Sequence, residues 1–331
     1  MITIAFFNNK GGVGKTSLVY HLAWMFAELK VNVLALDLDP QSNLTSMFLT
    51  EQRLEEIWPD GKHPLTIQGV LDPIIRGIGD IGVPHVERIS DRIGLVAGDL
   101  GVSGFEDALS EAWPRCHNSN EAAFRSMTAF YRTAKSAADS QHAEVVLLDV
   151  GPNLGAINRS ALIASDYVVI PLASDLFSLQ GLRNLGPKLR EWRTAWGELK
   201  GKNPDPELTL PSGDMYPAGY VVMQHAIRQD RPVKAYQRWM KKIPAEYRLS
   251  VLNDPEPGFD DPAHDDHCLA SLKHYRSLMP LAMESRKPMF FLKPADGAIG
   301  AHVEAVRDCY REFRLLAQAI AGRIAVALET S

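Results

Sequence analysis

The chain has 331 residues, 46% of them hydrophobic and 23% charged, with a net charge of −5. This length and apolar content supply a full core and exclude a disordered chain, while the net charge argues against a nucleic-acid coat protein. Cys116, Cys268 and Cys309 are too far apart for a disulfide framework or a CxxC pair, which points to a reducing, cytoplasmic setting, and no apolar run approaches a membrane span.

Ile2–Phe7 reads as a buried strand that begins at the start of the chain, so no cleaved signal is expected. Next comes Lys10-Gly11-Gly12-Val13-Gly14-Lys15-Thr16-Ser17, then a helical pattern over Thr16–Lys30. The glycines let the backbone make turns that a Cβ forbids, so successive N–H groups converge on phosphate oxygens at the positive end of a helix. In such a loop Lys15 neutralises β- and γ-phosphate charge and Thr16 holds Mg2+. The strict pattern GxxxxGK[ST] is not met, because Asn9 holds the place of its first glycine and a second lysine, Lys10, follows.

Val31–Leu36 reads as a second buried strand ending at Asp37-Leu38-Asp39-Pro40-Gln41, which completes a βαβ unit. Residues i and i+2 of an extended segment point the same way, so Asp37 and Asp39 both face the glycine loop, where two acids suit Mg2+ and water. Residues 51–90 read as an irregular excursion with a short helix at Ile67–Ile75. Ile93–Ala97 is a further strand, Glu121–Ser140 a surface helix, and Glu144–Asp149 a central strand whose terminal Asp149 stands where a carboxylate binds Mg2+ through water. The Gly151 N–H after it is placed to sense a γ-phosphate. Strands at Asp166–Pro171, Tyr220–Met223 and Met289–Leu292 and a last helix over about Gly300–Leu328 complete an α/β fold, a mostly parallel twisted sheet flanked by helices.

Charge is uneven along the chain. Residues 1–180 hold 13 Lys and Arg against 21 Asp and Glu, a balance of −8, while residues 181–331 hold 22 against 19, a balance of +3. Arg228 is followed by a helical row of Arg231, Lys234, Arg238, Lys241 and Lys242, which binds phosphates without reading bases or is simply a solvated face. The acidic, proline-punctuated stretch 251–267 reads as an exposed loop, and His264-Asp265-Asp266-His267-Cys268 fits no zinc spacing.

The run Lys10–Ser17 matches the deviant Walker A motif KGGxGK[ST], and with Asp37–Gln41, Asp149-Val150-Gly151-Pro152 and Asp175–Leu182 the chain resembles the ParA/MinD family of P-loop ATPases. The resemblance implies one ATPase domain over 1–331, with insertions at about 52–90, 198–217 and 244–272. It implies ATP and Mg2+ as ligands, with Lys10 reaching the nucleotide of a second copy, Asp39 acting in hydrolysis, and Thr16, Asp39 and Asp149 around the metal. Arg228 and Arg276 match arginines of the family's nonspecific DNA contact. The partners implied are a second copy, DNA, and a ParB-like or cargo-adaptor activator, for a cytoplasmic, nucleoid-associated protein that positions DNA or cargo.

Two features depart from the family: Asp-Val-Gly-Pro stands for its usual Asp-x-Pro-Pro, and Gln180 for a glutamate. A MinD-like membrane-surface ATPase is the alternative, opposed by the non-basic end Leu328-Glu329-Thr330-Ser331. With no DNA-binding segment ahead of the loop, specific operator binding is not expected. A nitrogenase-reductase-like enzyme is excluded because 94–104 and 144–153 carry no cluster cysteine.

Overall fold

A computed structural model describes residues 1–223, 238–256, 259–275 and 277–328. Its centre is one eight-stranded sheet in the order β3-β4-β2-β5-β1-β6-β7-β8. The strands are β1 (Ile2–Phe6), β2 (Val33–Asp37), β3 (Glu87–Arg88), β4 (Ile93–Val96), β5 (Val145–Asp149), β6 (Tyr167–Ala173), β7 (Tyr216–Met223) and β8 (Cys268–Leu272). All neighbours run parallel except β3 and β4.

A parallel sheet is covered on both faces, which is why its central strands are apolar throughout rather than alternating. One face packs under α1 (Lys15–Glu28), α2 (Asn43–Phe48) and the last helix, Ala301–Ile324. Ile4 and Phe6 of β1 point into that layer, while Ala5 and the following Phe7 point into the other. The opposite layer contains α4 (Ile67–Ile75), α5 (Phe105–Cys116), α6 (Glu121–Met127), α7 (Ala129–Gln141), α8 (Ala156–Ile163) and α9 (Leu176–Lys200), the short α3 (Glu51–Ile57) lying between α2 and α4 in the chain. The carboxyl ends of β1, β2, β5 and β6 open on one edge, where such sheets bind ligands.

Several expectations need correction. Met289–Leu292 is no strand: Met289–Phe291 is a 3-10 turn whose Phe290 packs against His21 and Phe313. The sheet edge is instead β8, which begins directly after the stretch 251–267 read as loop. Glu121–Ser140 is two helices, broken at Thr128, whose hydroxyl donates to the Phe124 carbonyl. Asp265 is not solvated; it is buried and accepts a 2.7 Å hydrogen bond from the Tyr220 hydroxyl.

The segments at 52–90 and 198–217 meet across one cation, since Arg125 binds Asp80 at 2.5 Å and Asp205 at 2.8 Å, with Arg132 on Asp80 at 2.7 Å.

Candidate nucleotide site

The loop between β1 and α1 turns back on itself at Gly12 (φ 71°) and Gly14 (φ 91°), left-handed conformations that glycine adopts without strain. Gly14 stands at the N-cap of α1, and among the described residues no side chain caps the helix, which leaves its first N–H groups for an anion. Gly11, Gly12, Gly14, Lys15, Thr16 and Ser17 line one side of a cavity of about 620 Å³. Asp39 and Pro152 border it too, and Tyr20, Met47, Met279 and Met283 add an apolar wall beside Arg286 and Lys287. Val13 is buried beneath the loop.

Lys15 is buried, with Nζ donating to the Asn8 carbonyl at 3.2 Å and the Lys10 carbonyl at 3.4 Å. Burial lowers its pKa, while the charges of Asp149 and Asp39 oppose that shift. Asp149 ends β5 directly opposite Asp37 at the end of β2. Both are fully buried, and burial first, then neighbouring acids, pushes both carboxyls upward.

Asp37 has one oxygen engaged, accepting from the Thr45 N–H at 2.8 Å and the Thr45 hydroxyl at 2.7 Å. Its other oxygen and both oxygens of Asp149 have no hydrogen-bond partner among the described residues. Thr16 and Lys15 favour the Asp149 charge without a bond of normal geometry. Orphaned buried carboxylate oxygens are costly and fit a hydrated cation. Among the described residues no group of three His, Cys, Asp or Glu is placed to hold a metal ion.

Asp39 lies two residues beyond Asp37, its carboxylate accepting the Gln41 N–H at 3.0 Å. A Cβ built on Gly151 would sit 3.5 Å from Asp39 Oδ1, so the loops after β2 and β5 touch. Asn158 holds the second loop by donating to the carbonyls of Gly151 at 2.9 Å and Asn153 at 2.7 Å.

Lys10 turns away from this cavity. Its ammonium pairs with Asp175, the N-cap of α9, and lies 5.9 Å from the ring centroid of Phe177, which is 71% exposed. Burial of Asp175 is outweighed by hydrogen bonds from Lys10 and the Ser178 N–H, which hold its carboxyl below the usual range. Sequence reasoning missed Asp175 as the partner of Lys10, and also the cavity wall of Tyr20, Met47, Met279, Met283, Arg286 and Lys287. A separation of 165 residues leaves no local signal for the ion pair. Gln180 is exposed and bonds Asn184 at 3.2 Å.

His21 sits one turn below Ser17, fully buried, with Nδ1 2.7 Å from the Ser17 carbonyl and Nε2 accepting the Met289 N–H at 3.1 Å. This pairing fixes the neutral tautomer with the proton on Nδ1. Burial, opposed by the Ser17 carbonyl, lowers its pKa to about 4. The folded protein therefore leaves His21 neutral while the unfolded chain binds a proton below about 6.5, so stability is full above that pH and falls as pH drops toward 4. Between pH 6.5 and 5 the expected loss from this residue is about 2 kcal/mol. Urea unfolding across that range should show a pH slope smaller in His21→Gln than in wild type by nearly one proton.

Of the proposed DNA-contact residues, Arg228, Arg231, Lys234 and Arg276 lie outside the described residues. Arg238, Lys241 and Lys242 are exposed, with Arg238 and Lys242 over the Trp239 ring at 5.4 and 5.3 Å. The expected helical row is interrupted: residues 238–240 are helical, Lys241 and Lys242 form a turn, and a new helix begins at Ile243.

A family model described as an AAA domain matches residues 1–198. The chain belongs to this family, as a ParA/MinD-type P-loop ATPase. It is 29% identical to the chromosome-partitioning ATPase Soj of Thermus thermophilus over 250 residues, covering 75% of this chain and 82% of Soj. It is 30% identical to the Escherichia coli protein IncC over 185 residues, covering 56% of this chain but 44% of IncC. The fold is shared with Cyanothece McdA in an ATP complex, at a TM-score of 0.64 and 14% identity, covering 100% of this chain and 99% of that one. Among the described residues of this ParA/MinD member, no helix is long and apolar enough to cross a membrane.

Proposed function

We propose that this ParA/MinD-type protein is an ATP-driven switch: ATP and Mg2+ join two copies, the pair binds DNA without sequence preference, and hydrolysis separates them. One observation carries the reading. The buried, unpartnered Asp149 carboxylate lies within the field of Lys15 and Thr16, at the mouth of a glycine loop with free N–H groups.

In this reading the N–H groups of Gly11–Ser17 and the Lys15 ammonium hold the phosphates. Thr16 would hold Mg2+ directly and Asp149 and Asp39 through water; the ion would neutralise charge building on the phosphate oxygens. Asp39 orients the attacking water and accepts its proton. Gly151 senses the γ-phosphate through its N–H, and the apolar wall of Met279 and Met283 accommodates the base. Turnover by the chain alone is slow and is stimulated by a partner protein that supplies an arginine finger, a contribution worth ~10³-fold or more. That partner is a ParB-like or cargo-adaptor protein, the cargo is DNA or a protein assembly, and the setting is the nucleoid.

Lys10 leaves Asp175 to reach the nucleotide of the second copy. Lys10→Ala should therefore bind ATP within about threefold of wild type yet remain single in gel filtration with ATP; normal pairing by this variant contradicts the cross-subunit role. The DNA reading is tested by mobility shifts with ATP, ADP and no nucleotide. Binding should require ATP and weaken steeply between low and moderate salt. A shift that is equal in all three conditions counts against it.

A further inference from the structure

The first turn of α8 is capped from outside its own segment. Gly155, its N-cap residue, offers no side chain, and the N–H groups of Ala156 and Ile157 instead donate to the two carboxylate oxygens of Glu106, at 2.6 and 2.9 Å. A Cβ at position 155 would stand 2.6 Å from Glu106 Oε1, so the carboxylate fits against a backbone that only glycine leaves open. A negative charge there also suits the positive end of the helix dipole.

The position of Glu106 gives this cap a reach beyond α8. Asn158, in the same helix, holds the Gly151 and Asn153 carbonyls, so the loop following Asp149 is folded onto the turn that Glu106 fixes. At the other end, the segment leading to Glu106 is tied to α2 and, through Thr45, to Asp37 at the end of β2. The Gly98 N–H donates to Thr45 Oγ1 at 2.7 Å, and Thr45 in turn donates to Asp37. Asp99 then anchors the segment by accepting from the Gly101 N–H at 2.8 Å and the Thr66 hydroxyl at 2.7 Å. Residues 98–106 thus link Asp37 at the end of β2, through Thr45, to the first turn of α8 behind the loop that follows Asp149.

We propose that Glu106 is a positioning residue for ATP hydrolysis, holding the Gly151–Pro152 loop in register with Asp39 without touching the nucleotide itself. This rests on the hydrolytic reading above. Its effect is on turnover rather than on affinity, because the phosphates are held by the glycine loop, which Glu106 does not contact.

The test uses the full chain with Glu106→Ala and Glu106→Gln, the latter keeping one acceptor oxygen. Expected for Glu106→Ala are a kcat about tenfold lower, an ATP dissociation constant within threefold of wild type, and amide hydrogen exchange about tenfold faster over residues 150–157 without nucleotide. That factor is what loss of a helix cap produces. Glu106→Gln should fall between alanine and wild type on both readouts, and exchange in β1 and β5 should be unchanged. Unaltered exchange over 150–157, an unaltered kcat, or a loss of ATP affinity equal to the loss of rate overturns the proposal. If wild type turns over no ATP, the hydrolytic reading itself fails, and the exchange comparison, made without nucleotide, still decides whether the clamp exists.

Discussion

Lys15→Ala should reduce ATP affinity by a factor of roughly 10²–10³, to the limit of detection in a calorimeter. The ammonium is buried, makes no ion pair among the described residues, and rests on two loop carbonyls, so its charge is available for phosphate. Truncating one partner of a buried, hydrogen-bonded charge pair costs about 2–5 kcal/mol, a range that spans that factor. The fold should survive, because among the described residues no carboxylate depends on Lys15 for a hydrogen bond and burial already disfavours its charge. Circular dichroism and the thermal midpoint check this. Retained affinity in a folded variant would mean that the loop does not hold the triphosphate.

Asp39→Ala should have the opposite profile, with ATP affinity within about threefold of wild type and turnover lower by ~10²–10³. General-base assistance is worth about 10²–10⁴ in rate, and Asp39 is less deeply buried than Asp37 and Asp149 and lies beside Gly151. Its structural duties are small: one carboxylate oxygen accepts the Gln41 N–H. With hydrolysis stalled, the ATP-bound pair should persist, so gel filtration with ATP should show a longer-lived dimer than wild type. Phosphate release at the wild-type rate would remove Asp39 from the chemistry. The two variants thus separate binding from cleavage.

The centre of the fold was legible because a parallel sheet writes itself as uninterrupted apolar runs. Val33–Asp37 and Val145–Asp149 are each buried at every position and end in the acids that matter. The glycine loop was legible because its backbone turns admit few other residues. The edge of the sheet was not. Cys268–Leu272 mixes buried, half-buried and exposed positions and follows an acidic stretch, whereas Met289–Phe291 is apolar because it plugs an aromatic cluster around His21 rather than because it pairs with a strand.

Contacts joining distant segments left no trace in spacing. Lys10 with Asp175, Glu106 with the N-terminus of α8, and Arg125 between Asp80 and Asp205 each depend on the finished fold to bring their partners together. The sequence pattern points to the groups proposed to touch phosphate; the fold adds the groups that hold them.

The most direct test of the switch is the molar mass of wild-type protein in solution, measured by light scattering with Mg2+ and either ATP, ADP or no nucleotide. ATP alone should double the single-chain mass. A mass unchanged by ATP, at concentrations that saturate the site, would contradict the account.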